Sequence, residues 1–185
     1  DFSHGTNIDN FFKGETVYNL LGYMGYDAFT LGNHEFNYGL KQLNTNLLIG
    51  IARDTVPLSN NIKIGGKRVL PPYRIFNFNG YKVGVIGITT PSTKNQSNPL
   101  YVGNIDFETN LLSDLQLTVD EVKKEADFVI VLGHIGLEAV DENGTTSATI
   151  VRDVKGIDLF IDGHSHTRLI DPLYEGTTPI VQTGE

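Results

Sequence analysis

Apolar residues recur every three to four positions in three stretches of this 185-residue chain, a spacing that is typical of one face of a helix. The first stretch, residues 17–24, is followed by Gly25, and glycine is common just beyond a helix end. The other two are residues 40–48 and 111–122. We expect helices in these stretches and a fourth helix over residues 146–154.

Short continuous apolar runs lie between the predicted helices, as is typical of buried strands. These runs are residues 26–31, 56–59, 128–132, 159–162 and 179–182. Two further runs, 74–78 and 81–88, are joined by Asn79-Gly80, a pair that favours the tight turn of a β-hairpin. Because helices and strands alternate around one antiparallel hairpin, we expect an α/β fold with a mixed sheet. Residues 89–107 are polar and contain proline, and we expect an irregular surface loop there.

Composition narrows the possible classes of function. Hydrophobic residues make up 39% of the chain and charged residues 19%, which is ordinary for a globular domain. No apolar run reaches the roughly 18–20 residues of a membrane-spanning helix, so we expect no transmembrane segment. The net charge of −8 argues against a nucleic-acid polymer as the main partner. Because the chain has no cysteine, any metal ion must be bound by oxygen and imidazole nitrogen.

Four of the five histidines follow the ends of predicted strands, each time after a glycine. The three segments are Gly32-Asn33-His34-Glu35, Gly133-His134 and Gly163-His164-Ser165-His166. The carboxyl ends of strands form the ligand crevice of open α/β sheets, so we expect these side chains to converge on one site. Amide oxygen and imidazole suit zinc, manganese or iron, and a ligand set this large indicates two ions. Asp1 is the best candidate for a carboxylate that bridges them.

These segments resemble the signature motifs of the calcineurin-like metallophosphoesterases. Asp1 with Gly5-Thr6 is similar to the end of a further motif, Gly-Asp-x-x-x-Gly-Thr. Other segments resemble the 5'-nucleotidase branch: Tyr26-Asp27-Ala28, Leu58-Ser59-Asn60-Asn61-Ile62, Val85-Ile86-Gly87-Ile88-Thr89-Thr90 and Val181-Gln182-Thr183-Gly184-Glu185. The similarity covers the whole chain, with the motifs in the expected order.

The resemblance implies a four-layer α/β/β/α sandwich of mixed sheets and hydrolysis of nucleotide phosphomonoesters at two divalent metal ions. Zinc, manganese, iron and calcium all remain open as the metals. In this scheme Asp1 bridges the ions, a group comprising Asn33, His134 and His164 completes one site, and His166 binds the other ion. His34 acts near the leaving group, and both Asn33 and His34 contact the substrate.

The family's opening Asp-x-His motif is not found, since it would lie before Asp1. We therefore interpret residues 1–185 as a single, incomplete metallophosphoesterase domain that lacks its first strand. The resemblance implies a C-terminal substrate-binding domain in the full-length protein, which would be extracellular, periplasmic or at the cell surface. We expect residues 1–185 alone to bind metal poorly and to be inactive.

Asn37 leaves the substrate open. Many 5'-nucleotidases have aspartate here, paired with the catalytic histidine, whereas asparagine carries no charge that would favour protonated His34. Asn37-Tyr38-Gly39-Leu40 also resembles the 2',3'-cyclic-nucleotide 2'-phosphodiesterase/3'-nucleotidase branch, which is our alternative; a non-catalytic binding relative is a third possibility. We expect Glu35 to support or cap rather than act as a base, and His4 to be a loop residue at no expected ligand position.

Overall fold

The computed structural model describes residues 1–138 and 144–184. Glu185, the last residue of the 181–185 segment that resembles 5'-nucleotidases, lies outside these ranges. The helices are α1 (Asn7–Phe12), α2 (Glu15–Tyr23), α3 (Gly39–Ile51), α4 (Thr93–Gln96), α5 (Pro99–Val102), α6 (Leu111–Val122) and α7 (Ser147–Asp153), with a 3₁₀ turn at His34–Phe36. Within the described ranges, no helix is both long and apolar enough to cross a membrane.

Eleven strands are assigned in the described residues. They are β1 (Ala28–Thr30), β2 (Val56–Leu58), β3 (Ile62–Ile64), β4 (Lys67–Arg68), β5 (Tyr73–Phe78), β6 (Tyr81–Thr89), β7 (Asp106–Phe107), β8 (Phe128–His134), β9 (Leu159–Ile161), β10 (Leu173–Glu175) and β11 (Thr178–Val181). Six of them form one mixed sheet in the order β10-β11-β9-β8-β6-β5. Its four central strands are parallel, and the edge strands β5 and β10 are antiparallel to their neighbours.

The predicted hairpin joins β5 to β6. Phe78 pairs with Tyr81, which leaves a two-residue turn. Asn79 and Gly80 both have positive φ, 54° and 95°, as a type I′ turn requires. The prediction from the Asn-Gly pair is confirmed.

The layers follow from two separate apolar cores. Helices α6 and α7 pack on one face of the six-stranded sheet through a cluster that includes Leu115, Val119 and Phe160. Helices α2 and α3 pack with strand β1 in a second cluster that includes Tyr18 and Phe29. Strands β1 and β2 form a parallel pair, and β1 lies against β6 and β8 of the large sheet. The order is therefore helix, sheet, sheet, helix, and the predicted four-layer α/β/β/α fold is confirmed.

Residues 89–107 are not the irregular surface loop that we expected. They contain α4, α5 and β7, and several of their polar side chains are buried. The polar sequence can be buried because its hydroxyl groups find local partners: Thr93 Oγ1 donates to the Thr90 carbonyl at 2.7 Å, and Thr90 Oγ1 lies 2.8 Å from Ser92 Oγ. Lys94 Nζ donates to the carbonyl of Ile105 at 2.6 Å, which joins α4 to the end of the segment.

Candidate metal centre and active site

The candidate site lies where strands of both sheets end. His134 is the last residue of β8, and His164 comes shortly after β9, its parallel neighbour. Leu132 pairs with Ile161, so the two strands end side by side. Asn33 follows β1, which lies against β8, and Asp1 reaches the same place from the start of the chain. The convergence expected from the strand ends is therefore present.

Three groups surround one ring nitrogen of His134. Its Nε2 lies 2.9 Å from Asp1 Oδ2, 3.1 Å from Asn33 Oδ1 and 3.0 Å from His164 Nδ1. The ligand atoms of Asp1, His134 and His164 all lie within 4.8 Å of one another. For comparison, ligands about 2.0–2.1 Å from a tetrahedral metal ion are roughly 3.3 Å apart.

Hydrogen bonds alone do not satisfy this cluster. If His134 Nε2 carries a proton, it can donate that proton to Asp1 Oδ2 or to Asn33 Oδ1. It then has no lone pair left to accept a hydrogen bond from His164 Nδ1. If it carries none, its lone pair faces those of Asp1 Oδ2 and Asn33 Oδ1. A divalent cation accepts all four lone pairs, so this donor set fits a metal ion of the kind that nitrogen and oxygen ligands bind.

Burial keeps both clustered imidazoles neutral. Burial lowers the pKa of His134 to about 3, although the charges of Glu35 and Asp162 oppose the shift. Burial, followed by the proximity of His134, lowers the pKa of His164 to about 4. At neutral pH the contact between His134 and Asp1 is therefore not an ion pair. Neutral imidazole is the form that binds metal.

A cavity of about 450 Å³ opens beside the cluster. Its lining residues are Asp1, His4, Gly5, His34, His134, Asp162, Gly163, His164, His166, Thr183 and Gly184. His166 thus shares the cavity with the three clustered residues but is not a member of the cluster. Asn33 is buried and does not line the cavity. Its backbone carbonyl accepts a hydrogen bond from Ser97 Oγ at 3.3 Å.

Glu35 fastens the start of the chain to the turn after β1. Its Oε1 accepts hydrogen bonds from the backbone N–H of Phe2 (2.9 Å) and Ser3 (3.1 Å), and its Oε2 accepts from Gly32 N–H (2.6 Å). Burial raises the pKa of Glu35, but the N–H groups that donate to it favour the charged form, and the pKa is lowered to about 2. A side chain at Gly32 would collide with the Asp1 carboxylate, so only glycine allows this close approach. The supporting role expected for Glu35 agrees with these contacts.

Asp162 and Gln182 hold the backbone on the other side of the cavity through similar hydrogen bonds. Sequence reasoning assigned neither of them a role. Asp162 Oδ1 accepts from the N–H groups of Ile135 (3.1 Å) and Gly136 (3.2 Å), which follow His134. Gln182 Nε2 donates to Asp162 Oδ2 at 3.3 Å, and its Oε1 accepts from Thr167 N–H at 2.6 Å. The only signal in the sequence was their position, directly at the ends of two apolar runs.

Both histidines of the Gly-His-Ser-His segment have left-handed backbone conformations. The φ angles of His164 and His166 are 81° and 54°. Such angles cost a residue other than glycine on the order of 1–3 kcal/mol, and they persist where surrounding contacts fix the backbone. Here Ser165 Oγ donates to Gln182 Oε1 at 3.2 Å, between the two strained residues.

His34 lies at the edge of the cluster and outside the candidate ligand set. Its backbone N–H donates to Asp1 Oδ1 at 2.8 Å, and its ring Nδ1 lies 2.8 Å from Asn37 Nδ2. His4, for which we expected no place in the site, also lines the cavity and stacks on the His34 ring. Sequence reasoning missed this contact because nothing in the local pattern around His4 points to it.

Comparison with known proteins identifies the family to which these motifs and this fold belong. The calcineurin-like phosphoesterase family matches residues 1–168. The chain is 33% identical to a snake venom 5'-nucleotidase from Naja atra and 35% identical to a 5'-nucleotidase from Bos taurus, over 97% of its own length in both. It spans about a third of these curated relatives, 32% and 30% of their lengths.

Solved structures agree with the sequence comparison. The sulfate thiohydrolase SoxB from Thermus thermophilus matches the whole chain with a TM-score of 0.87 and 25% identity, over 32% of its own length. The calcineurin-like phosphoesterase YfkN from Bacillus subtilis matches 99% of the chain with a TM-score of 0.82 and 25% identity, over 65% of its own length. The motifs, the four-layer fold and these matches lead to one conclusion: the chain belongs to the calcineurin-like phosphoesterase family.

Proposed function

We propose that the full-length protein containing this chain hydrolyses nucleotide phosphomonoesters with the help of two divalent metal ions. The observation that carries the proposal is the meeting of Asp1, Asn33 and His164 around Nε2 of His134, at 2.9–3.1 Å. Asp1 would be shared between the two ions, and His166, in the same cavity, would help to hold the second. The identities of the ions stay open among zinc, manganese, iron and calcium, because oxygen and imidazole ligands accept several of these.

The two oxygens of Asp1 have different tasks in this scheme. Oδ1 is held by the backbone N–H of His34, and Oδ2 faces His134 inside the cluster. The backbone contact fixes the carboxylate plane, so Oδ2 is directed to the place where the ions would lie. Two divalent ions held there would polarise a phosphoryl group and make water a nucleophile near neutral pH.

His34 is the group we assign to the leaving-group oxygen. A hydrogen bond from the Asn37 amide N–H₂ to Nδ1, 2.8 Å away, would leave the ring proton on Nε2. From there it can donate a hydrogen bond to the charge that develops on the leaving oxygen. Asn33, beside it, completes the proposed contacts to the substrate.

The nucleotide substrate is proposed from the relatives, two of which carry the name 5'-nucleotidase. Because the chain spans about a third of their length, we assign base recognition to a further C-terminal domain of the full-length protein. We also propose an extracellular, periplasmic or cell-surface location, which the venom relative supports.

One observation favours a second candidate, the 2',3'-cyclic-nucleotide 2'-phosphodiesterase/3'-nucleotidase activity. The partner of His34 is the amide of Asn37 rather than a carboxylate, as in the sequence segment that resembles that branch. Hydrolysis of AMP, 3'-AMP and 2',3'-cyclic AMP by the full-length protein, with each divalent metal in turn, separates the two.

The same assay decides whether the protein is an enzyme. His34→Asn should lower turnover by at least about 100-fold, while the metal content, measured by elemental analysis, stays unchanged. If the unaltered protein hydrolyses none of the three substrates with any metal, the hydrolase proposal is overturned and a binding role replaces it.

A further inference from the structure

We propose that His4 is a positioning residue for His34, which it holds by ring stacking and by a shared hydrogen-bond partner, Asn37. This inference rests on the leaving-group role proposed for His34. His4 is neither a member of the ligand cluster nor part of a motif, and the contacts that single it out are all side-chain contacts.

The two imidazole rings are nearly parallel. Their centroids are 4.5 Å apart, and the ring planes meet at 9°. Asn37 Nδ2 lies 2.8 Å from Nδ1 of His34 and 3.3 Å from Nδ1 of His4. An amide N–H₂ group has two hydrogens, so it can donate one to each ring. In that arrangement both rings carry their proton on Nε2, and rotation of either ring breaks a hydrogen bond.

The backbone on either side of His4 is fixed, so its ring is not free to drift away although it is exposed. On one side, buried Ser3 donates to Glu35 Oε1 from both its N–H and its Oγ, each at 3.1 Å. On the other side, Thr6 caps helix α1 by accepting from Asp9 N–H at 3.1 Å. His4 therefore lies between two anchored residues, and its ring stacks on that of His34.

The stack has a mechanistic consequence. His34 can assist the leaving group only if Nε2 is directed at the leaving oxygen, and the hydrogen bond from Asn37 is one restraint on the rotation of its ring. His4 adds a second restraint on the same ring. Removal of His4 should therefore reduce turnover of substrates that need leaving-group assistance and should affect substrate binding little.

The test compares two substrates with the full-length, metal-loaded protein. AMP has a poor leaving group, whereas p-nitrophenyl phosphate has a good one that needs little help from His34. We expect His4→Ala to lower kcat on AMP about tenfold with KM changed less than about twofold, and to lower kcat on p-nitrophenyl phosphate by less than about twofold. His4→Phe keeps a stacking ring without the hydrogen bond, so its kcat on AMP should lie between that of His4→Ala and that of the unaltered protein. Asn7→Ala, exposed at the start of α1, is the matched control and should behave as the unaltered protein.

A double-mutant comparison isolates the path through His34. In a His34→Ala background, adding His4→Ala should cost nothing further, because the residue that His4 positions is already gone. Equal losses on both substrates, additive losses in the double variant, or a loss of bound metal in His4→Ala would each overturn the positioning role. A His34→Ala variant with full AMP turnover would instead overturn the role of His34 itself, so the two failures are distinct.

Discussion

His134 and His164 reach the cavity from adjacent parallel strands, whereas Asp1 and His4 reach it from a segment that belongs to no strand. We call the first group, with Asp162 and Gln182, the strand side, and residues 1–6 with Glu35 the segment side. On the strand side the sheet itself fixes the backbone, and polar side chains only adjust the loops. On the segment side one buried carboxylate, that of Glu35, accepts from the backbone N–H groups of Phe2 and Ser3.

The two sides differ in how strongly the loss of one contact should disturb the positions of the ligands. Loss of one contact on the strand side leaves the strand pairs intact, so the ligands shift only slightly. Loss of Glu35 removes the hydrogen bonds that hold Phe2 and Ser3, which lie between the bridging candidate Asp1 and the positioning candidate His4. We therefore expect the ligands themselves to matter most, then Glu35, and then the supporting residues of the strand side.

The largest effect is expected for His134→Ala in the full-length protein. The variant removes the nitrogen on which three other groups converge, so one ion loses its central ligand. Turnover should fall by at least about 1,000-fold, and elemental analysis should show loss of about one metal ion per chain. Ile135→Val, a conservative change at the adjacent buried residue, is the control. Full metal content in His134→Ala would contradict the proposed centre.

The next effect tests the segment side directly. Glu35→Gln keeps the shape of the side chain, but its amide group can accept at only one oxygen and cannot serve all three N–H donors. We expect turnover of the full-length protein to fall about 100-fold, with weakened metal binding, because Asp1 loses its anchor. Glu138→Gln, a glutamate outside the cluster, serves as control. Unchanged activity in Glu35→Gln would show that the segment is held by other contacts and would remove the contrast between the two sides.

The same contrast explains what could be predicted from the sequence. The positions of His134, His164 and Asn33 followed from strand ends, because parallel neighbours must end at one edge of a sheet. Helices α2, α3 and α6 followed from apolar spacing, since each buries one face in a core. Local periodicity therefore sufficed wherever an element packs on a sheet.

Other features depend on contacts between residues that are distant along the chain. Glu35 bonds to Ser3, 32 positions away, and Gln182 bonds to Asp162, 20 positions away. The small sheet of β4, β3 and β7 likewise joins segments far apart, and its strands have only two or three residues, too few for a clear alternation. The expectation of a surface loop over residues 89–107 was wrong for a related reason, because polar side chains satisfied by local backbone groups can be buried.

A smaller effect is expected for Gln182→Leu on the strand side. The change leaves Thr167 N–H and one oxygen of Asp162 without their partner, so the loop that carries His164 and His166 loosens. We expect a loss of about 1–3 kcal/mol in the free energy of unfolding and about a tenfold drop in turnover. Chemical denaturation and steady-state kinetics measure the two. Gln96→Ala, at an exposed position of α4, should change neither, and a larger loss of activity than in Glu35→Gln would reverse the ranking of the two sides.

The last test separates the two sides by pH in the metal-free 1–185 chain. The pKa of His134 is lowered to about 3 and that of His164 to about 4, from an ordinary value of 6.5. Between these values the unfolded chain binds more protons than the folded chain, so stability falls as the pH falls below about 6.5. The slope is at most about 1.4 kcal/mol per pH unit for each group, and less for His164, which is partly exposed.

Glu35 contributes in a lower window, since its pKa is lowered from 4.5 to about 2. Its stabilisation is complete above pH 4.5 and is lost as the pH falls toward 2. Thermal unfolding followed from pH 8 to 2 should therefore show an upper decline that begins below pH 6.5 and a further, steeper loss below pH 4.5. His134→Gln should flatten the upper decline. Glu35→Gln should remove the added loss below pH 4.5 without flattening the upper decline, because Glu35 opposes the lowering of the His134 pKa. If Glu35→Gln flattened the upper decline as well, the two sides would titrate as one unit, and their separate anchoring would have to be given up.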